Sequence, residues 1–258
     1  MHARLISVVA DSAGAQQKDN LCGPFWAARL LNESGFNTWD GQTIDQDLVA
    51  LRAGTVLPDP STNPEVPPGA LSKAAYRHKL PLAPLAQSGT SARGLAEVIE
   101  AASAGELRCV PLRGVWNVDR VERLVDEGHQ LGVRLIANVC TGRLWGAGAA
   151  AEILVAELDG RPVQDPAPDW DVGHFVEMVM LLRGPVRSLV VVHDSYPSLG
   201  RGGFHVQPPR VLASALLRGD GREGGVLVVA PRARAAATVD LAADLGLEIA
   251  FWNNGTGV

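Results

Sequence analysis

Apolar positions in this chain follow two rhythms, a three-to-four-residue repeat and short continuous runs. The first clear case of the former follows Cys22. In CGPFWAARLLNESG, Phe25, Ala28 and Leu31 recur at helical spacing beside Trp26 and Leu30, and Gly35 ends the run. Asp19 or Asn20 is the expected cap, and Pro24 suits a first turn, where its missing N–H is not needed. The pattern therefore predicts a helix with the Cys22 sulfur at or near its N-terminal end. Helices are also expected over Ala92–Ala101, capped by Thr90 or Ser91, and from Val118 to Gly132, capped by Asn117. Two later helices are expected, VLASALLRG (211–219) and RAAATVDLAADLG (234–246).

The continuous runs predict strands: LRCVPL (107–112), VRLIANV (133–139), ILVAELDG (153–160), HFVEMVMLLRG (174–184), SLVVVHDSY (188–196) and GGVLVVAP (224–231), with LEIAFWNN closing the sheet. Between about residues 37 and 88 the pattern breaks down. The segment LPDPSTNPEVPPG cannot be a central strand or a helix interior. Short helices are expected there over Ile44–Arg52 and Leu71–His78, within a loop-rich insertion that walls a cleft or is merely structural. Helix–strand alternation followed by hairpin-like strands favours an α+β fold: an N-terminal helix carrying Cys22, packed against an antiparallel sheet. At 258 residues, one domain over 1–258 is the first choice and two tightly associated lobes the second.

Composition changes this picture little. The net charge of -5 is spread without a basic stripe, and two Tyr and five Phe give little for base stacking, so no nucleic-acid partner is expected. No run approaches the ~18 apolar residues that span a bilayer, and the N-terminal apolar run is too short for a signal peptide. A cytoplasmic protein with no membrane association is expected, with reduced thiols. Cys22, Cys109 and Cys140 cannot all pair within the chain and match no zinc spacing. Cys109 and Cys140, at the ends of apolar runs, read as buried inert thiols. A zinc site gathered from Cys22, His174, His193 and Asp194 is the weaker alternative, so no metal and no cofactor is expected. Oligomeric state stays open.

A cysteine nucleophile needs an imidazole, a group that holds the imidazole, and a donor for the oxyanion. Each has a candidate. His174 starts one strand and Asp194 ends the next. If these strands pair antiparallel through the turn near Gly184 and Pro185, His174 and Asp194 meet at one edge of the sheet. Gln16 and Gln17 lie a few residues before Cys22. His193, next to Asp194, points to the opposite face by strand alternation. His205 reads as structural or substrate-contacting, and Trp26 and Trp39 as packing beside the helix or lining the cleft.

QQKDNLCGP, then GHFV, then an Asp ending the following strand resembles the papain-like cysteine peptidase superfamily. The likeness is nearest to the bacterial branch of double-glycine leader peptidases, and covers about a third of the chain. The resemblance implies a papain-like fold with Cys22 as nucleophile, His174 as general base and acid, Asp194 as orienter and a Gln as oxyanion donor. Gln16, six positions before Cys22, has the separation common in the superfamily; Gln17 is adjacent and stays a candidate. The insertion at 37–88 is longer than the leader peptidases suggest. The implied activity is a thiol hydrolase acting on a peptide or small amide. The alternatives are an amide-forming acyltransferase or peptide-tailoring enzyme on the same residues, and a non-catalytic peptide-binding protein.

Overall fold

A computed structural model describes residues 16–219 and 221–256. The helices are α1 (Cys22–Glu33), α2 (Gln46–Arg52), α3 (Ala92–Ala102), α4 (Val118–Leu131), α5 (Ala151–Leu158), α6 (Pro209–Leu217) and α7 (Ala235–Asp244). The long strands are β5 (Leu107–Arg113), β6 (Arg134–Cys140), β7 (Gly173–Arg183), β8 (Ser188–His193) and β10 (Gly225–Pro231). Short ones are β1 (Thr38–Trp39), β2 (Gln42–Thr43), β3 (Leu57–Pro58), β4 (Leu82–Ala83), β9 (Phe204–Gln207) and β11 (Glu248–Ile249). Seven strands form one antiparallel sheet in the order β11-β5-β10-β6-β7-β8-β9. The protein is a mixed α+β structure with an N-terminal helix.

The central strands read as unbroken apolar runs because both sheet faces are covered. Along β6, Leu135, Ala137 and Val139 enter one core with α4, α6 and α7. Ile136 enters the other, with α1, α2 and α3. Strand β10 alternates likewise: Val226 and Val228 face the first core, Leu227 and Val229 the second. These four are essentially inaccessible to solvent, and burying each such side chain is worth about 1.5–3 kcal/mol against leaving it exposed.

Helix α1 is seated by shape and by charge. A Cβ on Gly23 would come within 2.8 Å of Leu95 Cδ1 and 3.2 Å of the Phe175 ring, so any larger residue would have to push these side chains of α3 and β7 aside. At the other end of α1, Arg134 on β6 donates from Nη1 to Glu33 Oε2 (2.6 Å) and also bonds the buried Glu177 of β7. Trp26 donates from its indole to the Phe175 carbonyl (3.0 Å). The start of α1 is thereby fixed beside the start of β7.

Several expectations need correction. Residues 153–160 were expected as a strand, but Ala151–Leu158 is helix α5. A short apolar run has no decisive period, and here it leaves Val155 exposed while burying Ala156 and Glu157. No helix forms over Leu71–His78. Carboxylates take N–H groups there instead: Lys73 donates to Asp19 Oδ1 (2.9 Å) and Arg77 to Asp47 Oδ1 (3.0 Å). Asp19 is thus occupied and does not cap α1, whose N-cap residue Leu21 makes no side-chain bond. Ser91 and Asn117 do cap α3 and α4. Of the run LEIAFWNN expected to close the sheet, Glu248–Ile249 alone forms a strand, paired with β5, and β9 adds an edge strand on β8 that was not anticipated.

Candidate active site

The site is assembled at the end of the sheet where β6 and β8 finish and β7 begins. β7 and β8 pair antiparallel with Glu177 opposite His193. Continuing that register would put Asp194 opposite Val176, on the same face as His174 and diagonal to it. The side chains meet: His174 Nε2 lies 3.1 Å from both Asp194 Oδ1 and Oδ2. Both residues are buried. The Asp194 N–H donates to the Gly203 carbonyl (2.7 Å), and its Oδ1 accepts the Tyr196 N–H (2.9 Å), so the carboxylate is held independently of the histidine.

The imidazole is walled on other sides by rings. Trp170 meets it edge-on at 5.2 Å between centroids, and Tyr196 stacks at 6.0 Å. Thr141, just after β6, places the segment leading into His174: its Oγ1 donates to the Trp170 carbonyl (3.1 Å) and accepts the Val172 N–H (2.9 Å).

Cys22 is the first residue of α1, where unpaired N–H groups and the helix dipole favour an anion. Its thiol is within hydrogen-bonding and electrostatic reach of His174 and receives the backbone N–H groups of Phe175 and Gly23. With Nε2 engaged by Asp194, Nδ1 is the ring nitrogen left for sulfur. Burial opposes the thiolate, but the His174 charge and these hydrogen bonds outweigh it, and the Cys22 pKa is lowered. Burial likewise opposes the imidazolium, yet the charges of Asp194 and Cys22 raise the His174 pKa to about 10. Asp194 is lowered, its burial outweighed by His174. All three directions favour a thiolate–imidazolium pair backed by a carboxylate at neutral pH.

The glutamines part company. Gln17 is buried behind the histidine: its Oε1 accepts Ser195 Oγ–H (2.5 Å), and its Nε2 donates to Tyr196 Oη (3.0 Å) and the Lys18 carbonyl (3.2 Å). Ser195 Oγ is in turn 3.5 Å from His174 Nε2. Gln16 donates to the Leu71 carbonyl (2.6 Å). A cavity of about 710 Å³ opens beside Cys22. His193, on the opposite face as expected, stacks on Phe204 (3.9 Å) and meets Trp26, away from Asp194. His205 Nδ1 lies 3.0 Å from Gln207 Nε2, and its pKa is lowered, chiefly by burial. Trp39 packs at the margin of the α1 core under Arg52.

The model of a family of unknown function (DUF6885) matches residues 4–253. The chain belongs to that family. No curated protein matches it.

In this DUF6885 protein the three thiols are sharply different. Cys109 and Cys140 are partly exposed rather than fully buried. Burial first, then Glu100, pushes the Cys109 pKa far up. Cys140 lines the same cavity as Cys22, but its S–H donates to Asp171 Oδ1 (3.2 Å), and burial together with that carboxylate raises its pKa. Cys22 is the thiol shifted down. Among the described residues no group of three or more His, Cys, Asp and Glu is placed to hold a metal ion, and no helix is long and apolar enough to cross a membrane.

Residues missed by sequence reasoning also belong here. Asn138 on β6 donates to the His174 carbonyl (3.4 Å), and its Oδ1 accepts from Arg218 (3.2 Å) and Trp252 (3.3 Å). Nothing in the run LIANV distinguishes that Asn from a strand-end polar residue. Ser195 and Trp170 gave no signal either, since their roles depend on contacts far away in the chain.

Proposed function

We propose that this protein is a thiol hydrolase that cleaves an amide or peptide bond, with Cys22 as nucleophile, His174 as proton carrier and Asp194 as orienter. The observation that carries the reading is the position of His174. Its Nε2 is held by both oxygens of Asp194, while the ring reaches a cysteine whose thiol is the acidified one.

The steps follow from those groups. The Cys22 thiolate attacks the substrate carbonyl, forming a C–S bond and an oxyanion. The backbone N–H of Cys22 is one donor for that oxyanion; the resemblance implies a glutamine as the other, and with Gln17 committed to the wall behind His174 that falls to Gln16, which must first leave the Leu71 carbonyl. As the tetrahedral species collapses, the C–N bond breaks and the imidazolium proton passes to the departing amine. A water then gives its proton to the neutral imidazole and attacks the thioester. The acid leaves, sulfur returns to the thiolate, and the imidazolium is restored. Asp194 does not react; it holds the ring and stabilises its charge.

The papain-like resemblance supports the same reading. That fold sets the nucleophile at the start of a helix against an antiparallel sheet carrying the histidine and its partner, and the order Cys22, His174, Asp194 agrees with it. The experiment is mass spectrometry of the protein after incubation with pools of peptides, small amides and thioesters. An acyl mass on the peptide containing Cys22, lost slowly in water, is the expected result. Turnover of a substrate with no acyl mass on Cys22 under rapid acid quench would refute the assignment.

A further inference from the structure

The cavity beside Cys22 is lined in part by an amide side chain that rises from the middle of the sheet. Asn138 lies on β6 opposite Phe175 of β7, whose N–H reaches the Cys22 thiol. Ile136, two residues earlier, enters the α1 core, and strand alternation turns Asn138 to the same face. Helix α1 begins at Cys22, and Asn138 and Cys22 line one cavity, which neither Gln16 nor Gln17 lines.

The Asn138 amide is oriented from behind. Its Oδ1 accepts from Arg218 Nη1 (3.2 Å) and Trp252 Nε1 (3.3 Å). Both are groups that only donate, so Nδ2 must take the other position. Nδ2 carries two N–H groups. Among the described residues its one acceptor is the His174 carbonyl at 3.4 Å, longer than an ordinary N–H···O bond. The second N–H has no acceptor among the described residues, although Asn138 is only 2% exposed. A buried amide donor without an acceptor is costly. Holding Arg218 and Trp252 needs an oxygen alone, and the amide nitrogen is surplus to that task. The surplus donor matches what an amide substrate brings into the cavity, a carbonyl oxygen that gains negative charge as sulfur attacks.

We propose that Asn138 is a substrate-contacting residue of this cleft, and that its second Nδ2–H donates to a carbonyl of the acyl donor held at Cys22. The proposal rests on the thiol-hydrolase reading for what Cys22 does. Gln16 reaches the substrate only after leaving the Leu71 carbonyl, whereas Asn138 already stands at the cavity wall. Two carbonyls can supply the oxygen, the scissile one and the one that precedes it in a peptide, and the chemistry at Nδ2 is the same for both.

The test uses two aldehydes, which add reversibly to a cysteine nucleophile as hemithioacetals. N-acetylglycinal carries a second carbonyl before the reactive one, and butanal does not. Affinity is read as protection of Cys22 from iodomethane, a reagent with no carbonyl, in the full chain. Asn138→Ala and Asn138→Asp are compared with the wild type; the aspartate keeps an acceptor for Arg218 and Trp252 but lacks the donor. Both variants are expected to bind N-acetylglycinal about tenfold or more less tightly, the equivalent of one hydrogen bond. Without aldehyde, the iodomethane rate of Cys22 in Asn138→Ala should stay within about threefold of wild type. A matching loss for butanal assigns the scissile carbonyl, and a loss for N-acetylglycinal alone assigns the preceding one. In wild-type protein isotopically labelled at asparagine nitrogen, the Asn138 side-chain amide proton resonance is expected to move downfield when N-acetylglycinal binds, a readout that needs neither variant to fold. A resonance that does not move overturns the proposal. So do variant affinities that are unchanged, or lowered only as far as the iodomethane rate, which would place Asn138 behind His174 and not on the substrate. If neither aldehyde protects wild-type Cys22, the hydrolase reading falls and this proposal with it; protection with unaltered variant affinities sinks the proposal alone.

Discussion

Cys22→Ala and His174→Ala are each expected to lower kcat/KM on an identified acyl donor by about 10⁴-fold or more, with the protein still folded. The two groups act as one device. Without the sulfur there is no nucleophile, and without the imidazole the sulfur loses its counter-charge and the leaving amine its proton. Nucleophile and base knocked out together therefore cost little more than either alone, and the double variant should fall no further than the worse single one. In His174→Ala, burial acts on Cys22 without the opposing imidazolium charge and raises the thiol pKa, so the thiolate fraction drops as well. Circular dichroism and a thermal melt separate this from unfolding. Retention of activity within tenfold in either variant contradicts the mechanism.

Asp194 is expected to matter less, and in a graded way. Asp194→Ala should cost about 100-fold or more, and Asp194→Asn less, because an amide oxygen still accepts from Nε2 and keeps the ring oriented. The alanine variant also strips the acceptor from the buried Tyr196 N–H, an unsatisfied group worth about 1–3 kcal/mol of stability. The pH profile carries the diagnostic sign. Burial works against the imidazolium, and the Asp194 charge does more than any other group to overcome it and raise the His174 pKa to about 10. Removing that charge leaves burial to lower the His174 pKa, so the imidazolium is lost at lower pH. The alkaline limb of activity must therefore move toward neutrality in both variants, by more than any shift of the acid limb. An alkaline limb that stays in place in Asp194→Asn would show that the carboxylate charge does not act on His174.

Much of this site was legible before folding, for specific reasons. Pro24 and the spacing of Phe25, Ala28 and Leu31 marked a helix that begins at the cysteine, because periodicity is a local property; the cap expected from Asp19 failed because Ser72 and Lys73 take its carboxylate. The meeting of His174 with Asp194 followed from one antiparallel pairing across a short turn, which fixes position to within a residue or two. What could not be read depends on distant partners. Gln16 and Gln17 are neighbours of the same type, and Ser195 and Tyr196, nearly 180 positions on, decide that Gln17 is the buried one. The run at 153–160 looked like a strand because six apolar or small residues carry no unambiguous period. The stretch at 71–78 looked helical until Asp19 and Asp47 took its N–H groups. Arg218 closes a helix like any surface arginine; its burial against Gly173 and Asn138 is a tertiary fact.

Everything proposed for the chemistry depends on sulfur at residue 22 being anionic well below the pH at which ordinary thiols ionise. The direct measurement is the alkylation rate of each cysteine by iodoacetamide across pH, read by mass spectrometry of the separate peptides. An ordinary thiol with pKa ~8.5 is only ~0.3% ionised at pH 6, so full ionisation gains ~300-fold, of which the weaker nucleophilicity of an acidified thiolate takes back ~10-fold. Because the Cys109 and Cys140 pKa values are raised above the ordinary one, Cys22 should react at least about 30-fold faster than either near pH 6, with a rate nearly flat toward pH 8. A Cys22 rate that climbs tenfold per pH unit over that range, in step with the other two, would contradict the account.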